Sequence, residues 1–116
     1  MRRELLVLIY VVVALAGCPP PGQGPAARNG YSACGPAINA LAAYHAEHGT
    51  YPGRLEDLVP RYLARVPTKA ESRLESIRYE PKASEDYFLE FRYVGPGMNY
   101  CDYSPASAKW RCGGYY

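Results

Sequence analysis

Residues 87–94 read Tyr87-Phe88-Leu89-Glu90-Phe91-Arg92-Tyr93-Val94. Tyr87, Leu89, Phe91 and Tyr93 fall on one side of a two-residue period, with Phe88, Glu90, Arg92 and Val94 on the other. That alternation marks a β-strand with one buried face. Upstream, Ile77 and Tyr79 alternate with Arg78 and Glu80 in the same way. Two more short strands are expected over residues 98–103 and 109–116, giving a meander of three or four antiparallel strands.

A sheet with one apolar face needs a cover, and the chain supplies it earlier. Cys34, Ile38, Leu41 and His45 recur at helical spacing, and Ala37 and Tyr44 widen the stripe. Ser32 or Gly35 can cap this helix, with Pro36 in its first turn. Gly49 can close it in the left-handed conformation, and Tyr51-Pro52 then turns the chain to an extended course. Leu55, Leu58, Val59, Tyr62 and Leu63 mark a second helical stretch, split near Pro60 into two short turns. The expected class is α+β: one long amino-terminal helix plus short helical turns, packed on a three- to four-stranded antiparallel sheet.

The amino-terminal third is organised differently. A 13-residue run, Leu5 to Gly17, follows Arg2 and Arg3. It is shorter than the about 20 apolar residues that a spanning helix needs, and its basic start and small closing residues fit an export signal. Leu15-Ala16-Gly17-Cys18 resembles the lipobox of bacterial lipoproteins. The resemblance implies cleavage before Cys18, attachment of a diacylglycerol to its thiol with palmitate among the acyl chains, and tethering to a membrane. It further implies an outer-membrane destination in a host with two membranes, because Pro19 is not the aspartate associated with inner-membrane retention.

Pro19, Pro20, Pro21, Gly22, Gly24 and Pro25 come next. They are read as a spacer of mostly extended residues, long enough to hold a folded part a few tens of ångströms from the membrane, roughly at the contour length of a dozen residues. The expected organisation is therefore a signal peptide over 1–17, a lipidated cysteine and linker over 18–31, and a single domain over 32–116.

Composition narrows the function. Removing residues 1–17 takes Arg2, Arg3 and Glu4 from 13 basic and 11 acidic side chains, so the mature chain is nearly neutral. That balance lacks the basic face nucleic acid requires, and no nucleic-acid partner is expected. An exported chain sits where disulfides persist. Among Cys34, Cys101 and Cys112, the most local pair is Cys101 with Cys112, which Pro105 and the small residues around it allow to turn back on itself. Closing so short a loop stabilises by about 3 kcal/mol. Cys34 is left either as a buried thiol on the helix or as an intermolecular partner.

Residues 38–67 carry a second resemblance. Leu41, Tyr44, Gly49, Tyr51-Pro52, Leu55, Leu58 and Pro67 are similar to the head domain of type IV pilins and type II secretion pseudopilins: a helix, a Gly-x-Tyr-Pro turn and a Leu-x-x-Leu segment before a sheet. A disulfide near the carboxyl end fits that family too. The chain departs from it at the amino terminus, where the long apolar assembly helix with its glutamate is missing, so filament assembly is not implied. The calcium site of some pseudopilin heads has no matching residues here.

Candidate chemistry is sparse. His45 and His48 are three apart on one helix, but two imidazoles are too few for a metal site, and no cofactor is expected. Glu56 with Asp57, and Glu85 with Asp86, are adjacent in sequence and so do not face each other. Ser32, Ser104 and Ser107 lie in no nucleophile-elbow sequence. Cys34 and His45 are separated by about 16 Å of helical rise. No enzyme activity is expected. The remaining peculiarity is 12 tyrosines. Tyr100, Tyr103, Trp110, Tyr115 and Tyr116 form a candidate binding surface, since amphipathic rings make good contacts; cross-strand packing is the alternative role.

The function expected from the sequence is a non-catalytic, membrane-anchored envelope lipoprotein that is structural or binds an as yet unidentified envelope protein. The first alternative is an accessory component of a type II secretion or type IV pilus-like system. A small metal-binding or enzymatic envelope protein is the third.

Overall fold

The computed structural model describes residues 19–95 and 97–115. The expected signal peptide, Cys18 and Tyr116 lie outside the described residues. A helix α1 (Pro25–His48) leads to a 3₁₀ turn (Leu55–Leu58), a single helical turn α2 (Lys69–Ser72), and strands β1 (Ser76–Pro81), β2 (Tyr87–Val94), β3 (Met98–Ser104) and β4 (Lys109–Tyr115). The strands form one antiparallel sheet in sequential order. The expected α+β class holds, with four strands. Among the described residues no helix is long and apolar enough to cross a membrane.

The sheet follows the two-residue period that predicted it. Tyr87, Leu89, Phe91 and Tyr93 are buried under α1, whereas Arg92 and Val94 are exposed. Register carries this face across the sheet, pairing Ile77 with Phe91 and Tyr79 with Leu89, then Phe91 with Cys101 and Leu89 with Tyr103. Cys101 pairs in turn with Cys112, and Tyr103 with Trp110. Cys101 and Cys112 are bonded as a disulfide, with Cα atoms 4.1 Å apart. Neighbouring strands therefore hold the two cysteines directly opposite each other, as the short spacing suggested.

Helix α1 corrects one expectation. It starts at Pro25, seven residues before Ser32, with Gly24 as its N-cap and Pro25 in the first turn. The sequence contains two Gly-Pro pairs that can open a helix, Gly24-Pro25 and Gly35-Pro36. Tertiary packing selects the first. Ala27, Gly30, Cys34, Ala37 and Leu41 are buried at alternating three- and four-residue steps, a continuous stripe that a start at Ser32 would cut in half. Pro36 then sits inside the helix and forfeits one backbone hydrogen bond, a loss of about 3 kcal/mol that the extra buried stripe offsets.

The residues of that stripe are small because α1 approaches the sheet closely. A Cβ on Gly30 would come closer than 3.0 Å to three atoms of the Phe91 ring. Phe91 is itself fully buried, met edge-on by Tyr31 with centroids 5.4 Å apart and by Trp110 at 5.1 Å. At the other end α1 closes as expected: Gly49 adopts φ 76°, and its amide donates to the His45 carbonyl. Tyr51-Pro52 turns the chain, Pro52, Leu55 and Leu58 are buried beneath it, and the Tyr79 hydroxyl donates to the Pro52 carbonyl at 2.6 Å. Of the two helical turns expected around Pro60, one forms as the 3₁₀ turn. The other is a hydrogen-bonded turn in which the Tyr62 and Leu63 amides share the Leu58 carbonyl. The turn α2 was not expected; Thr68 caps it by accepting from the Glu71 amide.

The expected linker is the second correction. Residues 25–31 belong to α1, and Gly22 is bonded to the domain. The Gly22 amide donates to the Tyr93 hydroxyl at 2.7 Å, and the Tyr31 hydroxyl donates to the Gly22 carbonyl at 2.7 Å. The Gln23 amide closes a turn on the Pro20 carbonyl. Proline and glycine exclude a regular helix or ladder here, but they do not exclude a turn held by buried tyrosines.

Candidate functional site

The sheet covers one face with α1 and leaves the other open. Arg78, Glu90, Asp102 and Arg111 stand side by side across all four strands of this open face, because register pairs Arg78 with Glu90, Glu90 with Asp102, and Asp102 with Arg111. Two carboxylates placed opposite each other repel, and such a pair persists only where cations answer it. Arg92 Nε lies 3.0 Å from Glu90 Oε1, and Arg111 Nε lies 3.3 Å from Asp102 Oδ1. Arg78 turns instead to Glu80, at 3.7 Å. The carboxylates are sunk among their neighbours, with side chains 9% and 14% exposed, while Arg78, Arg92 and Arg111 project at 46% or more.

Phe88 lies on the same face, with the Arg78 guanidinium 5.1 Å and the Lys82 ammonium 5.3 Å from its ring centre. Beside it, Lys82, Asp86, Phe88, Asp102, Ser104 and Arg111 line an open depression of about 290 Å³. Asp86 joins the two hairpin turns there, accepting from the Tyr87 amide at 2.9 Å and from the Ser104 hydroxyl at 3.0 Å. The carboxylates of the depression are thus each held by a donor, an arrangement suited to recognising polar and charged groups.

The tyrosine cluster read from the sequence is not gathered on one face. Tyr103 and Trp110 lie on the α1 side, ring to ring at 5.4 Å, with Trp110 also against Phe91 and Tyr31 and Tyr103 beside Tyr87. Both serve cross-strand packing. Tyr100 is on the open face, where its ring covers Gly113; a Cβ there would come within 3.0 Å of the Tyr100 hydroxyl. Tyr115 pairs with Met98 at the end of β4, and Tyr116 lies outside the described residues. Register explains the division: Tyr100 and Tyr103 are an odd number of residues apart, so they point to opposite faces.

His45 and His48 diverge. The His45 ring stacks on Tyr51 with centroids 4.3 Å apart, and its Nε2 lies 3.4 Å from Glu85 Oε1 without the alignment of a hydrogen bond. His48 packs on Tyr44 and contacts the Tyr62 hydroxyl through Nε2 at 3.1 Å. Tyr62 and Arg61 both bond to Glu47, and the Tyr62 hydrogen bond is the main cause that holds the Glu47 carboxyl below its usual range. Among the described residues no group of three or more histidine, cysteine or acidic side chains could hold a metal ion.

Cys34 is free and fully buried in the α1 stripe, and burial pushes its thiol up to about 12. A thiol in that state is a packing group, not a nucleophile. Burial likewise raises Tyr79 and Tyr87 above the usual phenol range. Cys18 lies outside the described residues.

Sequence reasoning missed the open-face charge row. Each member looked like an ordinary solvent-side residue of a strand, and only the register of three strand pairs sets them in line. No protein-family model, curated protein or solved structure matches the chain.

Proposed function

We propose that this protein is a lipid-anchored, non-catalytic domain of the bacterial cell envelope that binds a protein partner through the open face of its sheet. The carrying observation is the row Arg78–Glu90–Asp102–Arg111: four charges aligned across the sheet, with arginines projecting over sunken carboxylates and Phe88 beside them. Arginine and aromatic side chains on a rigid element are what contact surfaces use, and a crosswise charge pattern gives such a surface register with its partner. Anchorage rests on Leu15-Ala16-Gly17-Cys18, with the outer membrane as destination in a two-membrane host.

The test uses the protein in its host membrane. A photo-crosslinking residue at Phe88 is expected to trap one defined envelope protein, the same residue at Ala43 on the exposed side of α1 to trap none, and Arg111→Glu to abolish the product. Equal crosslinking from both positions would count against the open face. The intact mass of the same material is expected to show a chain that begins at Cys18 and carries acyl groups.

A second reading, an accessory component of a type II secretion or type IV pilus-like system, draws on one observation. A long helix over an antiparallel sheet with a disulfide between its last strands is the layout the pilin-head resemblance implies. Here the crosslinked partner is expected to be a pseudopilin or another subunit of such a machine.

A further inference from the structure

We propose that the domain sits directly on the lipid surface, with Val94 and Met98, at the facing ends of β2 and β3, pressed into the boundary between headgroups and acyl chains. The inference rests on the acylation of Cys18 proposed above. Its structural basis is the shortness of the tether. The Gln23 amide bonds the Pro20 carbonyl, and Gly22 is held from both sides by Tyr31 and Tyr93. Four residues of chain separate Cys18 from Gly22, a reach of at most about 14 Å. The lipid therefore leaves the protein at the start of α1.

That end of the domain is also where β2 gives way to β3. Tyr93, which receives the Gly22 amide, is followed immediately by Val94, and Val94 pairs with Met98 across the turn. Val94 and Met98 are 63% and 53% exposed and are the large hydrophobic residues left in solvent among those described. Both lie on the open face of the sheet, opposite each other, at the end of β2 where Tyr93 holds Gly22 from the other face. A pair of apolar side chains is too small to hold a free domain on a bilayer. Tethering changes this, because the anchor keeps the tip at high local concentration against the membrane and a weak contact becomes persistent.

Charge fits the same orientation. Arg28 projects from the first turns of α1, and Arg73 lines a depression together with Asn29, so both cations stand at the tethered end. Arg65, in the same depression, is paired with Glu71 at 3.6 Å; Glu75 lines a second depression with Arg92 and Met98. Glu47, Glu85 and Asp86 lie at the opposite end, where α1 finishes and β1 turns into β2. Lys82 in that turn and Arg61, paired with Glu47, largely offset these acids, so an anionic lipid surface acts mainly by attracting Arg28 and Arg73 at the first end.

The experiment places the acylated protein in vesicles of phosphatidylethanolamine and phosphatidylglycerol doped with nitroxide-labelled lipid. Cys34 is buried and Cys101–Cys112 is bonded, so a thiol-reactive fluorophore labels Met98→Cys selectively, with Ala83→Cys at the far end as the comparison. Quenching at position 98 is expected to exceed that at position 83 by roughly twofold or more, as for a group within the interface. Replacing Val94 by Glu is expected to lower the quenching at 98 while the acyl mass is retained. Equal quenching at 98 and 83 in acylated protein overturns the inference and leaves the lipoprotein reading standing. An intact mass without acyl chains overturns that reading, and this inference with it.

Discussion

Replacing Gly30 by Ala tests how closely α1 lies on the sheet. Propensity alone makes the change favourable by about 1 kcal/mol, since alanine orders a helix at lower entropic cost. Packing opposes it. The added methyl would come closer than 3.0 Å to three atoms of the Phe91 ring. That ring cannot step aside, because it is fully buried and met edge-on by Tyr31 and Trp110. Nor can α1 lift locally without parting Ala27, Cys34 and Ala37, all fully buried, from the sheet. Overpacking of this kind costs about 3 kcal/mol at its upper end, so a net loss of about 2 kcal/mol is expected. The assay is urea denaturation of the disulfide-intact chain, with a thermal scan expected to show Tm lower by about 10 °C. In a Phe91→Leu background the penalty should shrink by about 1 kcal/mol or more, because the obstructing ring is gone. A Gly30→Ala protein that unfolds at higher urea than the parent would refute the close approach.

The remaining predictions concern titration, thiols and the tether. Tyr79 and Tyr87 hold their protons more tightly folded than unfolded, so their contribution is fully present below about pH 10, where the unfolded phenols ionise, and is lost as pH rises beyond that. Tm should fall steeply in that alkaline range, while absorbance reports two tyrosines that ionise only on unfolding. Apart from Cys18, the native protein should take up no alkylating reagent at pH 8, Cys34 should react once urea unfolds the chain, and Cys101 and Cys112 should follow only after reduction. Labelling of Cys34 in the native protein would show that α1 opens. Replacing both Cys101 and Cys112 by Ser should cost about 3 kcal/mol in denaturation, the value for a loop this short. Tyr93→Phe removes the acceptor of the Gly22 amide, and faster amide exchange at residues 20–24 with an unchanged core is expected; unchanged exchange would mean that the turn holds itself.

Most of the fold can be read in the residues because its signals are local and periodic. The two-residue alternation around Tyr87–Val94 has one interpretation, and the strands stand where that period put them, with Gly49 and Tyr51-Pro52 ending the helix as their backbone preferences require. The start of α1 was ambiguous for a physical reason. Two Gly-Pro pairs offer equivalent openings, and Ala27 and Gly30 are too small to announce themselves as core until the Phe91 ring beneath them is known. Size is a relation between two surfaces, and a single segment states only one of them.

The functional surfaces divide along the same line. Composition, the expected export signal and the spacing of Cys101 and Cys112 are properties of the chain as a string, and they carried its near-neutral charge, its expected anchor and its disulfide pairing. Strand register decided the rest. It sent Tyr103 and Trp110 to the packed side of the sheet and Tyr100 to the open side, and it aligned Arg78, Glu90, Asp102 and Arg111 from four separate strands. It also brought Tyr93 within reach of Gly22, seventy-one residues earlier, turning an expected spacer into part of the domain. Contacts between residues so far apart depend on how helix and sheet pack, and that is settled only when the apolar faces of both are buried together.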